Sequence, residues 1–289
     1  MTIAVPTFNR AAFLDETIES LLAQDWQDLE ILVVDDGSTD DTPAVLERLC
    51  RRSAAIRVLR QVNGGEASAC NTAWRCASGS LFCVVSSDDP QPRELVRSSV
   101  AFLKRRTDVI VSYPDWWRLD ATGDRVAEMR VAEFSLARLL GLADCFIGPG
   151  AFIRRDVVVD RLPLLRDPRF PLVSDFGCWL AMSTVGTFAR IPETIAAWRD
   201  HPLSTTALSR RRQRGDQHVL LFEAFFERTD LPAEIRALRT VSLARVRNLA
   251  TEIAGHDDVA WWVRKKLGAA WHMSMADLTE RVVTRLRRR

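Results

Sequence analysis

Two pairs of adjacent aspartates stand close behind short apolar runs, where carboxylates can do chemistry. Asp35-Asp36 follows the apolar run at 29–34, and Asp88-Asp89 follows a second run at 81–85, separated from it by two serines. Adjacent carboxylates at the end of a buried strand are costly unless a partner compensates their charge. A divalent cation carrying a phosphorylated ligand is one such partner. A solvated turn leading into Pro90 is the other interpretation.

The elements that must position these carboxylates alternate regularly. Apolar strands are predicted at 3–6, 29–34, 56–59 and 81–85, with helices at 11–24, 43–50 and 66–77 between them. This order predicts a Rossmann-like, doubly wound, mostly parallel α/β sheet, in which ligands bind at the carboxyl ends of the strands. The turn at Pro6-Thr7 and both aspartate pairs should therefore share one edge. The chain lacks the GxGxxG and GxxxxGK[ST] patterns, which argues against the usual dinucleotide and P-loop phosphate sites.

The second half is less regular. It predicts a helix at 90–104, an antiparallel hairpin within 112–130, a helix at 134–142, a glycine-rich strand at 146–153, a helix beginning near residue 175, and strands at 188–191 and 195–198. From residue 216 onward the pattern is helical, with helices predicted at 216–229, 233–254, 257–272 and 275–288. We therefore predict a catalytic domain over 1–205, with halves 1–90 and 91–205, and a C-terminal helical extension over 206–289.

Composition is that of a soluble globular protein, with 47% hydrophobic and 27% charged residues among 289. The six cysteines form no CxxC pair, which favours reduced thiols and a cytoplasmic location over a disulfide framework or a zinc site. The chain opens on a strand pattern rather than a signal peptide, and no apolar run reaches about 18 residues, so no membrane-spanning segment is expected. The formal net charge is +2, yet residues 207–289 hold 17 Lys/Arg against 10 Asp/Glu. That basic surplus suits an anionic partner.

The order of motifs resembles that of the family 2 glycosyltransferases, which have the GT-A fold. The resemblance is carried by residues 3–10 (IAVPTFNR), 31–40 (ILVVDDGSTD), Asn63-Gly64-Gly65 with Ala69-Cys70-Asn71, and Ser87-Asp88-Asp89, and extends over roughly the first 205 residues. It implies inverting transfer of a sugar from a nucleotide-sugar donor, assisted by Mn²⁺ or Mg²⁺. A UDP-sugar is the donor we expect, and a saccharide or lipid-linked saccharide of surface glycan synthesis is the expected acceptor.

The resemblance also assigns roles by position. Those for the nucleotide fall on Pro6, Thr7, Asn9, Asp36, Asn71 and Asp88. Among them, Asp36 would accept the N3–H of uracil and Asp88 would hold the ribose. Asp89 would ligate the metal, which acts as a Lewis acid on the departing diphosphate.

The remaining roles fall on the second half. Asp175, in Ser174-Asp175-Phe176, would be the base that deprotonates the acceptor hydroxyl, although a helix cap is an alternative interpretation. In the stretch Arg199-Asp200-His201-Pro202, His201 would reach the metal or the diphosphate. Arg199 would lie near the donor phosphates.

Other functions stay open from the sequence alone. A nucleotidyltransferase that makes a nucleotide-sugar would need a glycine-rich, basic loop after the first strand, which residues 6–10 do not provide. A non-catalytic nucleotide-binding relative is a second alternative. The basic end at 281–289 (RVVTRLRRR) either packs on the protein or docks on an anionic membrane surface. No recognised module supports binding to nucleic acid.

Overall fold

The computed structural model describes residues 1–143, 145–204, 207 and 211–255. Its strands are β1 (Thr2–Thr7), β2 (Glu30–Asp35), β3 (Ile56–Arg60), β4 (Leu81–Val84), β5 (Val109–Leu119), β6 (Arg125–Met129), β7 (Phe152–Arg154) and β8 (Thr187–Arg199). Its helices are α1 (Ala11–Leu22), α2 (Thr42–Arg52), α3 (Glu66–Cys76), α4 (Leu95–Arg105), α5 (Leu136–Leu142), α6 (Arg155–Val158), α7 (Ser174–Ser183), α8 (Arg211–Phe226), α9 (Ala233–Arg236) and α10 (Arg239–Gly255). The helices predicted at 257–272 and 275–288, and the basic end at 281–289, lie outside the described residues.

The described strands form one eight-stranded mixed sheet. Its order is β3-β2-β1-β4-β7-β5-β6, and β8 pairs with β5. Strands β1 to β4 pair in parallel with one another, and β8 runs parallel to β5. The pairs β4–β7, β5–β7 and β5–β6 are antiparallel, so the predicted hairpin within 112–130 is confirmed. The predicted α/β class with a mostly parallel first half is confirmed as well.

Strand β1 lies at the centre of the parallel part, and all six of its residues are buried. A parallel strand covered on both faces reads as a continuous apolar run, which is why 3–6 carries no polar alternation. On one face, Ile3, Val5 and Ile31 join the core that Leu14 and Ile18 of α1 complete. The carboxyl ends of β1, β2 and β4 are thereby held at one edge of the sheet.

Three elements differ from their predicted bounds. Helix α4 begins at Leu95 rather than near residue 90, because Gln91 and Pro92 bond to other elements instead. The strands predicted at 188–191 and 195–198 are one strand, β8, whose register with β5 shifts where Pro192 interrupts the ladder. Of the glycine-rich run 146–153, only the end is strand. Gly148 instead lies so close to Trp116 that an added Cβ would be 2.4 Å from the indole nitrogen.

The chain forms two compact units. The first comprises Met1–Glu133, Ile147–Pro171 and Val185–His201, and the second comprises the described residues of Phe134–Phe146, Leu172–Thr184 and Pro202 onward. Within the second unit, α10 packs on α8 and α5, and α8 also contacts α7. The domain boundary at residue 205 stays a prediction. None of the helices in the described residues has the length and apolar character needed to cross a membrane.

The six cysteines are present as thiols. Cys70, Cys83 and Cys178 are buried. Burial strongly raises the pKa of the Cys83 thiol, because a thiolate there would lose its hydration. This residue is therefore a packing element of β4 and not a nucleophile.

Candidate active site

The carboxylate of Asp36 holds the turn that precedes α3. Its Oδ1 accepts hydrogen bonds from Gln61 Nε2 at 2.7 Å and from Gly64 N at 3.0 Å, and its Oδ2 accepts one from Gly65 N at 2.7 Å. Gly65 has φ +83°, a left-handed conformation that favours glycine. Asp36 is 2% exposed. An ionised carboxylate has about four acceptor positions, so three donors leave about one for a ligand.

The preceding residue, Asp35, is the last residue of β2, and its carboxylate bonds to nearby residues of the loop and of β3. Its Oδ1 accepts the N–H of Ser38 at 2.9 Å, and its Oδ2 lies 3.3 Å from Arg60 Nε. Asp35 therefore shapes the loop that follows β2, which leaves Asp36 as the member of the pair predicted to contact a nucleotide.

Asn9 ties the loop after β1 to the loop after β2. It has φ +53°, and its Oδ1 accepts N–H groups from Thr39 at 2.8 Å and Asp40 at 3.3 Å. Asparagine tolerates this conformation better than most side chains. The Asn9 side chain thus helps to hold the two loops together.

Pro6 and Thr7 are both buried at the end of β1. The carbonyl of Thr7 accepts the N–H of Asp36 at 2.9 Å. The Thr7 hydroxyl is buried without a hydrogen-bond partner among the described residues. Since buried hydroxyls are usually paired, this atom is a candidate contact for a ligand.

Asp88 meets His201, a residue 113 positions later in the chain. His201 Nε2 lies 2.9 Å from Asp88 Oδ2, and Arg10 Nε lies 3.4 Å from the same oxygen. The ring of Phe13 packs on the His201 ring at 4.6 Å between centroids. His201 is 4% exposed, and its Nδ1 has no hydrogen-bond partner among the described residues. The structure therefore brings together Asp88 and His201, which sequence reasoning placed in separate motifs.

Asp89 is held by the end of β8. It is 3% exposed, and its Oδ1 accepts the backbone N–H of Arg199 at 2.7 Å. Burial, followed by the adjacent charge of Asp88, raises the pKa of Asp89 well above its ordinary value, while the bond from Arg199 opposes that rise. A cation at this carboxylate would relieve the cost of keeping it ionised.

The side chain of Arg199 is directed to α1. Its guanidinium lies 2.5 Å from Glu16 Oε2 and sits over the Phe13 ring at 5.5 Å. The side chain is 4% exposed, and its Nε is buried without a hydrogen-bond partner among the described residues. This guanidinium is therefore engaged by α1, and its predicted place beside donor phosphates stays a prediction.

The donor set at this edge fits a hard divalent cation bound together with a diphosphate. Carboxylate oxygens suit Mn²⁺ or Mg²⁺, whereas an imidazole nitrogen suits a transition metal such as Mn²⁺ better than Mg²⁺. Among the described residues, no group of three or more His, Cys, Asp or Glu side chains is arranged to hold a metal by itself. Phosphate oxygens of a ligand would have to complete the coordination shell. The assignments of Asp89 and His201 as ligands stay predictions.

Two predicted residues have local roles in the structure. The Asn71 side chain clamps the main chain of Arg166, donating to its carbonyl at 2.7 Å and accepting its N–H at 2.8 Å. Asp175 lies in the second unit, exposed in the first turn of α7, and its Oδ1 accepts the N–H of Phe176 at 2.8 Å. The nucleotide role of Asn71 and the base role of Asp175 stay predictions.

Sequence reasoning missed two residues that hold the site, Gln91 and Glu16. Gln91 is 5% exposed and bonds through its side-chain amide to the main chains of Asp89 and Ala197. Glu16 pairs with Arg199, 183 positions away. No local pattern marks either residue, because the contacts to Ala197 and Arg199 join residues 106 and 183 positions apart.

Comparison with known proteins gives a consistent picture. Residues 2–162 match the family described as glycosyl transferase family 2. An uncharacterized glycosyltransferase of Haemophilus influenzae is 23% identical over 257 residues, covering 85% of this chain and 80% of that protein. Other curated relatives match over shorter segments, and the chain spans 11–38% of their lengths.

Solved structures share the fold. The S. aureus TarS 1-349 complex with UDP-GlcNAc has a TM-score of 0.68 at 20% identity, covering 86% of this chain and 71% of that one. The mannosyltransferase PcManGT from Pyrobaculum calidifontis, in complex with GDP-Man and Mn²⁺, has a TM-score of 0.63 at 18% identity, covering 98% and 85%. These likenesses show the GT-A fold of the glycosyltransferases. With more than half of its residues matching the family, and with the order of motifs and sheet described above, this chain is a glycosyltransferase and belongs to glycosyl transferase family 2.

Proposed function

We propose that the protein is an inverting, metal-dependent glycosyltransferase that takes its sugar from a UDP-sugar. The observation that carries this proposal is the grouping of Asp36, Asp88 and Asp89 behind β2 and β4, at one edge of the parallel sheet. Ligands of such sheets bind at the carboxyl ends of the strands. The acceptor we propose is a saccharide or lipid-linked saccharide of surface glycan synthesis.

In this proposal, the base and ribose lie along the ends of β1 and β2. The remaining acceptor position of Asp36 takes the N3–H of uracil, a donor that cytosine lacks. The unpartnered Thr7 hydroxyl, and Asn9 through the loop that it fixes, support the nucleotide from β1. Asp88 accepts a ribose hydroxyl while His201 and Arg10 fix its carboxylate.

Asp89 and His201 hold the cation and the diphosphate in this proposal. When bound, the cation would neutralise negative charge that develops on the departing diphosphate. The carboxylate of Asp89 is kept in place by the Arg199 N–H. Arg199 contributes this backbone bond, and its guanidinium pairs with Glu16.

Asp175 is proposed as the base. It takes the proton of the acceptor hydroxyl as the acceptor oxygen attacks C1 of the sugar, and the C1–oxygen bond to the diphosphate breaks with its electron pair on the leaving group. Attack opposite the leaving group inverts the configuration at C1. Asp175 is exposed in the first turn of α7, so its carboxylate is accessible to a hydroxyl.

Binding of UDP with Mn²⁺ tests the donor site. A ligand that binds only the folded protein stabilises it by about 2.7 kcal/mol at 100 times its dissociation constant. For a unit of this size, that corresponds to a rise of roughly 5–11 °C in the melting temperature. GDP with Mn²⁺ serves as the comparison nucleotide. Asp89→Asn should abolish the rise, whereas Asp41→Asn, an exposed change in the loop after β2, should keep it. No shift with UDP and Mn²⁺ would refute the proposal.

A further inference from the structure

The segment that carries the aspartate pair is docked along the end of β8 by a side chain. Gln91 Nε2 donates to the carbonyl of Ala197 at 3.0 Å, and Gln91 Oε1 accepts the N–H of Ala197 at 3.1 Å. One side-chain amide thus satisfies both polar groups of a main-chain residue that is 2% exposed. Gln91 therefore makes with Ala197 the two hydrogen bonds that a neighbouring strand would otherwise make.

The same side-chain amide also binds the main chain of Asp89. Gln91 Nε2 donates a second hydrogen bond, of 2.9 Å, to the carbonyl of Asp89. Two residues further along β8, the N–H of Arg199 binds the Asp89 carboxylate. Asp89 is therefore fixed at its main chain by Gln91 and at its side chain by β8. Gln91 also joins the segment that carries Asp89 to β8.

From α1, a further bond sets the position of Gln91. The Oγ of Ser20 accepts the N–H of Gln91 at 2.9 Å. The main-chain N–H of Gln91 is thereby anchored to α1, and its side-chain amide bonds both to β8 and to the main chain of Asp89. A side chain without amide groups would leave the N–H and C=O of Ala197 buried and unpaired, which is costly.

We propose that Gln91 is a positioning residue for the carboxylate of Asp89, holding it in the orientation that receives the divalent cation. This inference rests on the proposed function, because it assigns Asp89 to the cation. Residues that orient a ligand from outside the coordination shell typically change metal affinity by about 10- to 100-fold when they are replaced. Gln91 has the contacts of such a residue and makes them through its side chain.

The chain offers a matched control in Gln24 of the segment after α1. Gln24 is 7% exposed, donates through Nε2 to the carbonyls of Ser20 and Pro92, and accepts the N–H of Val96. It is thus a buried glutamine with two donated bonds and one accepted bond, tied to the same stretch of chain. None of its recorded bonds reaches Asp89 or β8. A general loss of packing would affect both glutamine variants alike.

The test measures the dissociation constant of Mn²⁺ at saturating UDP, by electron paramagnetic resonance of free Mn²⁺, for the wild type, Gln91→Met and Gln24→Met. We expect similar losses in melting temperature for the two variants, about tenfold or greater weakening of Mn²⁺ binding in Gln91→Met, and less than twofold in Gln24→Met. Gln91→Asn keeps the amide but shortens its reach, and replaces Gln91→Met, with the same expectation, if that variant does not fold.

Each outcome bears on one idea. A wild type that binds no Mn²⁺ with UDP defeats the proposed function. A wild type that binds Mn²⁺, with an unchanged constant in the folded Gln91 variants, overturns only the role of Gln91. Equal weakening in Gln91→Met and Gln24→Met also overturns that role, because it would trace the effect to packing.

Discussion

Asp36→Asn should destabilise the protein in the absence of any nucleotide. The carboxylate binds Gln61, Gly64 and Gly65 through both oxygens, and an asparagine can offer only one of them. Its NH₂ group would then face at least one backbone N–H, donor against donor. Losing one hydrogen bond to a charged acceptor costs about 1.5–3 kcal/mol, and leaving the buried donor unpaired adds to it. We expect a total loss of about 3 kcal/mol.

The assay is thermal unfolding followed by circular dichroism, without ligands. At roughly 2–4 °C per kcal/mol for a unit of this size, the melting temperature should fall by about 6–12 °C. Asp41→Asn removes the same charge from an exposed residue of the same loop and should shift melting by less than about 2 °C. If Asp36→Asn melts within about 2 °C of the wild type, the carboxylate does not hold the turn before α3, and the reasoning from its three bonds fails.

Three further predictions test other parts of the structure. Asp115→Ala should cost about 3–5 kcal/mol in a denaturant titration, because Asp115 is buried and accepts two hydrogen bonds from Arg190; a loss below about 1 kcal/mol would contradict this. Gly148→Ala should cost about 1–3 kcal/mol, since its Cβ would meet Trp116, and unchanged melting would show that the loop moves aside easily. Asp175→Asn should keep the UDP–Mn²⁺ melting shift and slow sugar transfer by about 10²–10⁴-fold; undiminished transfer would exclude Asp175 as the base.

The parallel half of the fold was predictable because its signals are local. The apolar runs that became β1, β2 and β4 are short and bounded by turns, and the alternation with helices fixes which ends share an edge. The placement of Asp36 and Asp88 followed from that rule alone. The continuation of β8 past Pro192 could not be predicted by that rule. A proline usually ends a strand, whereas here a bulge carries the strand past it.

The contacts that hold the candidate site were not predictable, because they join distant parts of the chain. The sequence around His201 does not reveal that its ring would meet Asp88, and Gln91 looks like an ordinary residue of a turn. The phosphate contact suggested for Arg199 stays a prediction, but nothing in the sequence indicated that its guanidinium would pair with Glu16. Chemistry-bearing residue types were visible in the sequence, but their partners required the three-dimensional arrangement.

The position of β8 in the chain has a consequence for biosynthesis. The hydrogen bonds of Gln91 to Ala197 and of Arg199 to Asp89 span 106 and 110 residues. A nascent chain that has reached residue 186 already contains Asp36, Asp88 and Asp89, yet lacks the strand that fixes Asp89. Contacts so far apart in sequence close late and slowly during folding. Ribosomal stalling or proteolysis before β8 would therefore yield fragments that contain the acidic pair but lack the strand that orients it.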